Sequence, residues 1–234
     1  MRLPTALVAA LLAVPPSCAA AGAPAGSVQA CLESAALQPR TVFDVVVSTY
    51  PTVVERRLNI KEINRLRRVE PPPRTIAHGL SVADYSLRYN TESEATCWQP
   101  GGHACAWLGK VIVDLTPKAI RIYIPKEYRT NSCESNALLL HEMEHERLHR
   151  QRIQETAEKM RAALARSKNL PGPLTPINAP TPEDAYVRLK LMVDAVVRPI
   201  YEDFLKKIES EQEALDNPET YRRLGDNCPG WIRT

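Results

Sequence analysis

The chain predicts an α+β fold: a small antiparallel sheet followed by two long helices, with an H-E-x-x-H motif on the first of them. Three observations carry this. Short runs of alternating apolar residues fill the stretch before residue 125, as half-buried strands do. From residue 131 onward the apolar residues recur at helical spacing. Three of the five histidines fall within nine residues, in the run His141-Glu142-Met143-Glu144-His145-Glu146-Arg147-Leu148-His149.

The N-terminus predicts a processing signal over residues 1–21. Arg2 supplies a short positive region, Ala6 to Val14 an apolar core too short to span a bilayer, and Cys18 to Ala21 small residues for cleavage after Ala20 or Ala21. Pro15, Pro16 and Ser17 make a poor context for lipidation at Cys18, so a periplasmic or secreted protein is favoured over a lipoprotein. Residues 22–40 read as a linker and N-terminal segment, and 41–234 as one folded domain. Export predicts disulfides. The mature chain keeps Cys31, Cys97, Cys105, Cys133 and Cys228, which fits two bridges and one leftover thiol. Cys97 with Cys105, around Gly101-Gly102, and Cys133 with Cys228 are the expected pairs; no C-x-x-C pair argues for a structural zinc cluster.

Thr41 to Ser48 alternates Phe43, Val45 and Val47 and predicts a strand. A short helix over Ile60 to Arg68 follows, with Asn59 as cap, Glu62 closing a capping box and Leu58 stapling to Ile63, before Pro71 to Pro73 stop it. Three more strands are predicted at Leu80–Tyr89, Lys110–Leu115 and Ala119–Ile124. The histidine helix is expected from Asn131, with Glu134 completing a second capping box, to about Ser167. Its apolar stripe, Ile153, Ala157, Met160 and Leu164, projects back to Leu139 and leaves His141 and His145 roughly 100 to 140° away, flanking the core. Leu170 to Pro182 carries five prolines and predicts an extended loop. A second helix is expected from Pro182 to Leu215, burying Leu189, Val193, Val196, Ile200, Phe204 and Ile208, before Asn217-Pro218 and a short tail.

The formal net charge of +3 comes from interspersed charges of both signs, with no basic block and no arginine–aromatic interleaving, so nucleic acid is not an expected partner. The chemistry lies in the histidine run. Imidazoles at i and i+4 share a helix face and can bind one zinc ion, and the glutamate beside the first can serve as general base of a metal-assisted amide hydrolysis. His141 and His145 are thus the expected metal ligands and Glu142 the catalytic base. A third ligand is needed. His149 stands eight residues, about 12 Å of helix rise, from His141, and no glycine lies between His145 and His149 to turn the chain. Glu202, Asp203, Asp216 and Tyr221 are the other candidates, and Glu146 supports the site at most. His78 and His103 read as ordinary surface residues, and Trp98, Trp107 and Trp231 as packing residues.

The chain resembles a bacterial family of predicted secreted zinc-dependent proteases, the domain of unknown function numbered 922. The likeness runs from about Thr41 to Tyr221. It includes I-Y-I-P at Ile122 to Pro125, Cys133, L-L-L-H-E-M-E-H at Leu138 to His145, and a second helix ending L-D-N-P-E-T-Y. It implies metal binding by His141 and His145 and a basic role for Glu142. Family members end that helix with a Y-D-x-x-T-x-H-like segment. Here Leu215-Asp216 begins the equivalent stretch and Tyr221 stands where the late histidine is expected. The expectation is a zincin-like domain, an exported Zn2+ peptidase acting on a peptide or protein of the cell envelope, with Ala119–Ile124 as an edge strand for an extended substrate. The alternative is a non-catalytic envelope protein using the same scaffold for a structural metal or a partner.

Overall fold

The computed structural model describes Glu33, Ala36 and residues 39–48, 50–67, 78–98 and 104–231, without the side chains of 94–98. The elements in order are β1 (Val42–Val46), β2 (Thr52–Glu55), α1 (Ile60–Arg65), β3 (Leu80–Trp98), β4 (Ala104–Tyr123), α2 (Cys133–Arg166), β5 (Ile177–Ala179), α3 (Pro182–Leu215) and α4 (Pro218–Asn227). This is a mixed α/β chain with one small open sheet and two long helices. Its contacts divide into two compact units interleaved in sequence. One comprises Met1–Val42, Thr91–Lys110 and Lys168–Leu191; the other comprises Phe43–Asn90, Val111–Ser167 and Met192–Thr234 and contains the histidine motif.

In the second unit β2 pairs with β4 in parallel, from Thr52 opposite Ile120 to Glu55 opposite Tyr123. The expected antiparallel arrangement is corrected here. Between β2 and β4 the chain passes through α1 and β3, ample length to return in the same direction, whereas an antiparallel pair needs only a hairpin. In the first unit β5 pairs antiparallel with the start of β4, Ala104 opposite Ala179. The strands expected at Lys110–Leu115 and Ala119–Ile124 are one continuous strand, because a proline inside a strand forfeits only its own N–H. Nor is that strand an edge: β4 lies between β1 and β2 in the sheet order. β2 is too short and too exposed, at Val53 and Val54, to have shown an alternating pattern.

α1 forms as its cap dictates. Glu62 N–H donates to Asn59 Oδ1 at 2.8 Å, and Asn59 N–H donates to Glu62 Oε2 at 2.7 Å. The cap of α2 is Ser132, one residue later than expected, with Ser135 N–H donating to its hydroxyl. Asn131 instead takes a left-handed turn (φ 65°) that leads the chain into the helix. Glu134 does not close a box; it accepts the Gly230 N–H at 2.7 Å. α3 spans the expected residues, although Val197 rather than Val196 is buried and Ile200 is only half-buried. Part of the proline-rich connection forms β5, and the tail forms α4, capped by Asn217 with Pro218 in the first turn.

The core of the second unit includes Val111, Val113, Leu115, Ile120 and Ile122 of β4, Ile124 just after it, and Leu138, Ile153, Met160 and Leu164 of α2. Tyr128 packs with Ile122, Ile124 and Leu138, and Trp231 lies against that cluster. Cys133 and Cys228 form a disulfide, Cα atoms 5.6 Å apart across 95 residues of chain. Cys105 is also disulfide-bonded, but Cys31 and the side chain of Cys97 lie outside the described residues. Among the described residues no helix is long and apolar enough to cross a membrane.

Candidate metal centre

The buried face of α2 runs Leu138, His141, Glu142, His145, His149, Ile153, Ala157, Met160 and Leu164. The polar residues occupy the same face as the apolar stripe. His141, Glu142 and His145 are 4%, 1% and 3% exposed, so they enter the core instead of flanking it. The expectation failed because the wheel measured their angle from the apolar stripe alone, while Gln212, Asp216 and Tyr221 cover the side of α2 that carries them.

The partners come from the junction of α3 and α4, also in the second unit. Asp216 sits there because α3 ends at Leu215 and Asn217 caps the next helix, accepting Thr220 N–H at 2.9 Å. Asp216 Oδ1 lies 3.1 Å from His141 Nε2 and 3.0 Å from His145 Nε2, and the two Nε2 atoms are 3.2 Å apart. These three residues form a group able to hold a metal ion. Donor atoms around a tetrahedral ion with bonds of about 2.05 Å stand about 3.3 Å apart, close to the observed triangle.

The tautomer of His145 is fixed by Gln212. The Gln212 amide nitrogen donates to the backbone carbonyl of His145 at 3.3 Å. That leaves Gln212 Oε1 to face His145 Nδ1, so Nδ1 carries a hydrogen and donates it. In the neutral ring Nε2 then presents a lone pair toward a carboxylate oxygen and a second imidazole nitrogen. His141 Nε2 either donates its own hydrogen to Asp216 Oδ1 or, as a lone pair, joins the other two acceptors around a cation. A proton can serve: burial alone pulls His145 down, but the hydrogen bond to Asp216 and the charges of Glu142 and Asp216 raise it to about 9. A divalent ion serves the same role. Asp216 is held below the usual carboxylate range: burial works against this, but hydrogen bonds from His141 and His145 and the imidazolium charge prevail. The Tyr221 hydroxyl donates to the same Oδ1 at 2.8 Å, and burial keeps that phenol protonated.

Glu142 is the second unusual group. Its Oε1 is buried and has no hydrogen-bond partner among the described residues. Burial, opposed by His145 and aided by Asp216, raises its pKa to about 8. Gly79 closes over it, since a Cβ at that residue would lie 2.4 Å from Glu142 Oε1. An unpartnered buried carboxylate oxygen costs free energy unless a ligand or water satisfies it.

Of the other candidates for third ligand, Glu202 and Asp203 are exposed on α3. His149 turns Nδ1 to the Tyr85 hydroxyl and stands outside the triangle, and burial lowers its pKa to about 4. Tyr221 supports Asp216. Glu146 accepts from Thr52 and Arg150. His78 is not a surface residue. It is buried, bonded through Nδ1 to Tyr128 at 2.9 Å, and its ring lies 4.9 Å from that of Trp231 and 6.2 Å from that of Tyr221. His103 and the Trp98 side chain lie outside the described residues, and Trp107 is fully buried. Sequence reasoning missed Gln212 and Gly79. Gln212 stands four residues before Asp216, on the same helical face; no pattern marks Gly79. No protein family, curated protein or solved structure matches the chain.

Proposed function

We propose that the protein is an exported zinc-dependent peptidase in which His141, His145 and Asp216 hold the metal and Glu142 is the general base. One observation carries the reading: a buried carboxylate with an unpartnered oxygen stands beside three convergent metal-donor atoms. A zinc ion bound by such a set supplies Lewis acidity and lowers the pKa of a water molecule toward 7. Glu142 takes a proton from the attacking water at Oε1 and delivers it to the leaving amine nitrogen. Its elevated affinity for a proton suits both steps, because a carboxylate of ordinary pKa is a weak base at neutral pH. Gly79 keeps Oε1 free of a competing side chain. Gln212 and Tyr221 hold His145 and Asp216 in the protonation states that leave their donor atoms directed inward.

Two histidines and a carboxylate also suit iron(II). The buried base on the same helix favours hydrolysis and hence zinc. The resemblance to predicted secreted zinc-dependent proteases implies the same activity, and the disulfide is compatible with export. With β4 inside the sheet, β2 is the strand to offer an extended substrate a free edge.

The test is metal analysis of purified wild-type protein and His145→Ala, with hydrolysis of a fluorogenic peptide library by wild type and Glu142→Gln. About one zinc per chain, lost in His145→Ala, and hydrolysis lost in Glu142→Gln with zinc retained are expected. A protein that binds zinc and cleaves no peptide is a non-catalytic envelope protein, and one that binds no metal refutes the centre.

A further inference from the structure

We propose that a cavity one helical turn beyond His145 is the specificity pocket of this site, and that it takes a branched aliphatic side chain of a peptide substrate; the proposal rests on the reading of the centre as a peptidase. The cavity has a volume of about 80 Å3, and its wall includes Val47, Pro117, Ile120 and Ile153 together with the rings of Tyr85 and His149. All six belong to the second unit, which also contains the metal centre.

His149 links cavity to centre. It follows His145 by four residues, about 6 Å of helix rise, on the same buried face of α2. The cavity wall thus begins one helical turn from a residue of the donor group. The wall chemistry selects what enters. Val47, Pro117, Ile120 and Ile153 supply its aliphatic part, and Ser48 and Gln154 also border it. Arg150 also borders the cavity, but its guanidinium is engaged by Glu146, the Tyr50 carbonyl oxygen and the Thr52 hydroxyl. The charge is thus neutralised away from an entering group, and an ionic side chain finds no counter-ion there.

Size decides between aliphatic and aromatic. An apolar cavity of about 150 Å3 admits a benzene ring. One of about half that volume holds three or four carbon atoms, enough for a valine, isoleucine or leucine side chain and too little for phenylalanine or tyrosine. A mismatch of this kind in an apolar pocket changes affinity about 10- to 200-fold.

The experiment uses the full-length zinc-loaded protein and three probes: acetohydroxamate, N-acetyl-leucine hydroxamate and N-acetyl-phenylalanine hydroxamate, with affinities from titration calorimetry. Acetohydroxamate reports the metal alone. The leucine compound is expected to bind at least about 10-fold more tightly than either of the others. Val47→Phe, at a half-buried residue just after β1, fills the cavity and abolishes that advantage while leaving acetohydroxamate affinity and zinc content unchanged. Val47→Ala enlarges it and narrows the gap between the leucine and phenylalanine compounds. Equal affinity for all three probes, or a leucine preference untouched by Val47→Phe, overturns the pocket with the metal reading intact. Failure of the wild type to hold zinc or bind acetohydroxamate overturns the metal reading, and the pocket with it.

Discussion

Gly79→Ala adds one carbon atom where the backbone meets the proposed base. That carbon would lie 2.4 Å from Glu142 Oε1 and 3.1 Å from its Cδ and Cγ. Ordinary contact begins near 3.4 Å, so the carboxylate must retreat by about 1 Å, and with Cγ also crowded no rotation of the carboxylate alone relieves the clash. Misplacing a reacting group by about 1 Å costs about 100-fold in rate, or about 2.7 kcal/mol in barrier. The expected result is a kcat reduced about 100-fold on a fluorogenic peptide, with KM, zinc content and the thermal midpoint near those of the wild type. Glu142→Gln sets the floor. Wild-type kcat in Gly79→Ala refutes the claim that Glu142 needs this geometry. Loss of zinc together with activity refutes the separation of base from ligands.

His149→Phe is expected to retain zinc and His145→Ala to lose it, measured by elemental analysis, because His149 bonds Tyr85 and lies outside the donor triangle. Gln212→Ala should weaken zinc binding about 10- to 100-fold in a competition titration, since it frees the tautomer of His145. The pH dependence of the chelator-treated protein follows from His145, raised from 6.5 to about 9, and Glu142, raised from 4.5 to about 8. Each contributes stability that is fully present below its unfolded pKa and is lost as pH rises through its folded pKa. His149, lowered to about 4, and Asp216, also lowered, work in reverse and lose their contribution only in acid. Between pH 6.5 and 9 the midpoint in chelator should therefore fall, and saturating zinc should suppress the fall; a midpoint rising with pH in chelator rejects the proton–metal exchange. Reduction of Cys133–Cys228, which closes 95 residues of chain, is expected to cost about 2–5 kcal/mol in denaturant unfolding.

Local physics was legible in the sequence. The capping pair Asn59–Glu62 and the span of α3 are each decided by a few neighbouring residues, and they formed as expected. The Cys133–Cys228 bridge was expected from the cysteine count and spacing, and the structure forms it. The sheet was not legible. β2 contributes four residues, and its parallel partner lies 68 residues away at Ile120, a pairing no local pattern encodes. The site was legible in part: the H-E-x-x-H spacing pointed to His141, Glu142 and His145, while Asp216 was one acid among several, since a carboxylate at a helix end carries no mark of what faces it.

The misreading of the helix face is the more instructive failure. A wheel drawn through apolar residues assumes that burial is driven by hydrophobic transfer alone. On α2 the residues ahead of Ile153 and Met160 include His149, His145 and Glu142, all buried. Nothing in their own chemistry favours that position, because each loses hydration there. The hydrogen bonds of His145 with Gln212 and of His149 with Tyr85 recover part of the loss. The remainder falls on Glu142 Oε1 and on the His141–His145–Asp216 group, which could hold a metal ion. A core stripe that turns polar for two turns and then reverts to Leu138 therefore points to the partners that cover it, independent of any motif. Angle alone accounts for Glu142 and His149, which lie within about 60° of the stripe's centre, whereas His145 and His141 are buried because Gln212, Asp216 and Tyr221 pack against that side of α2.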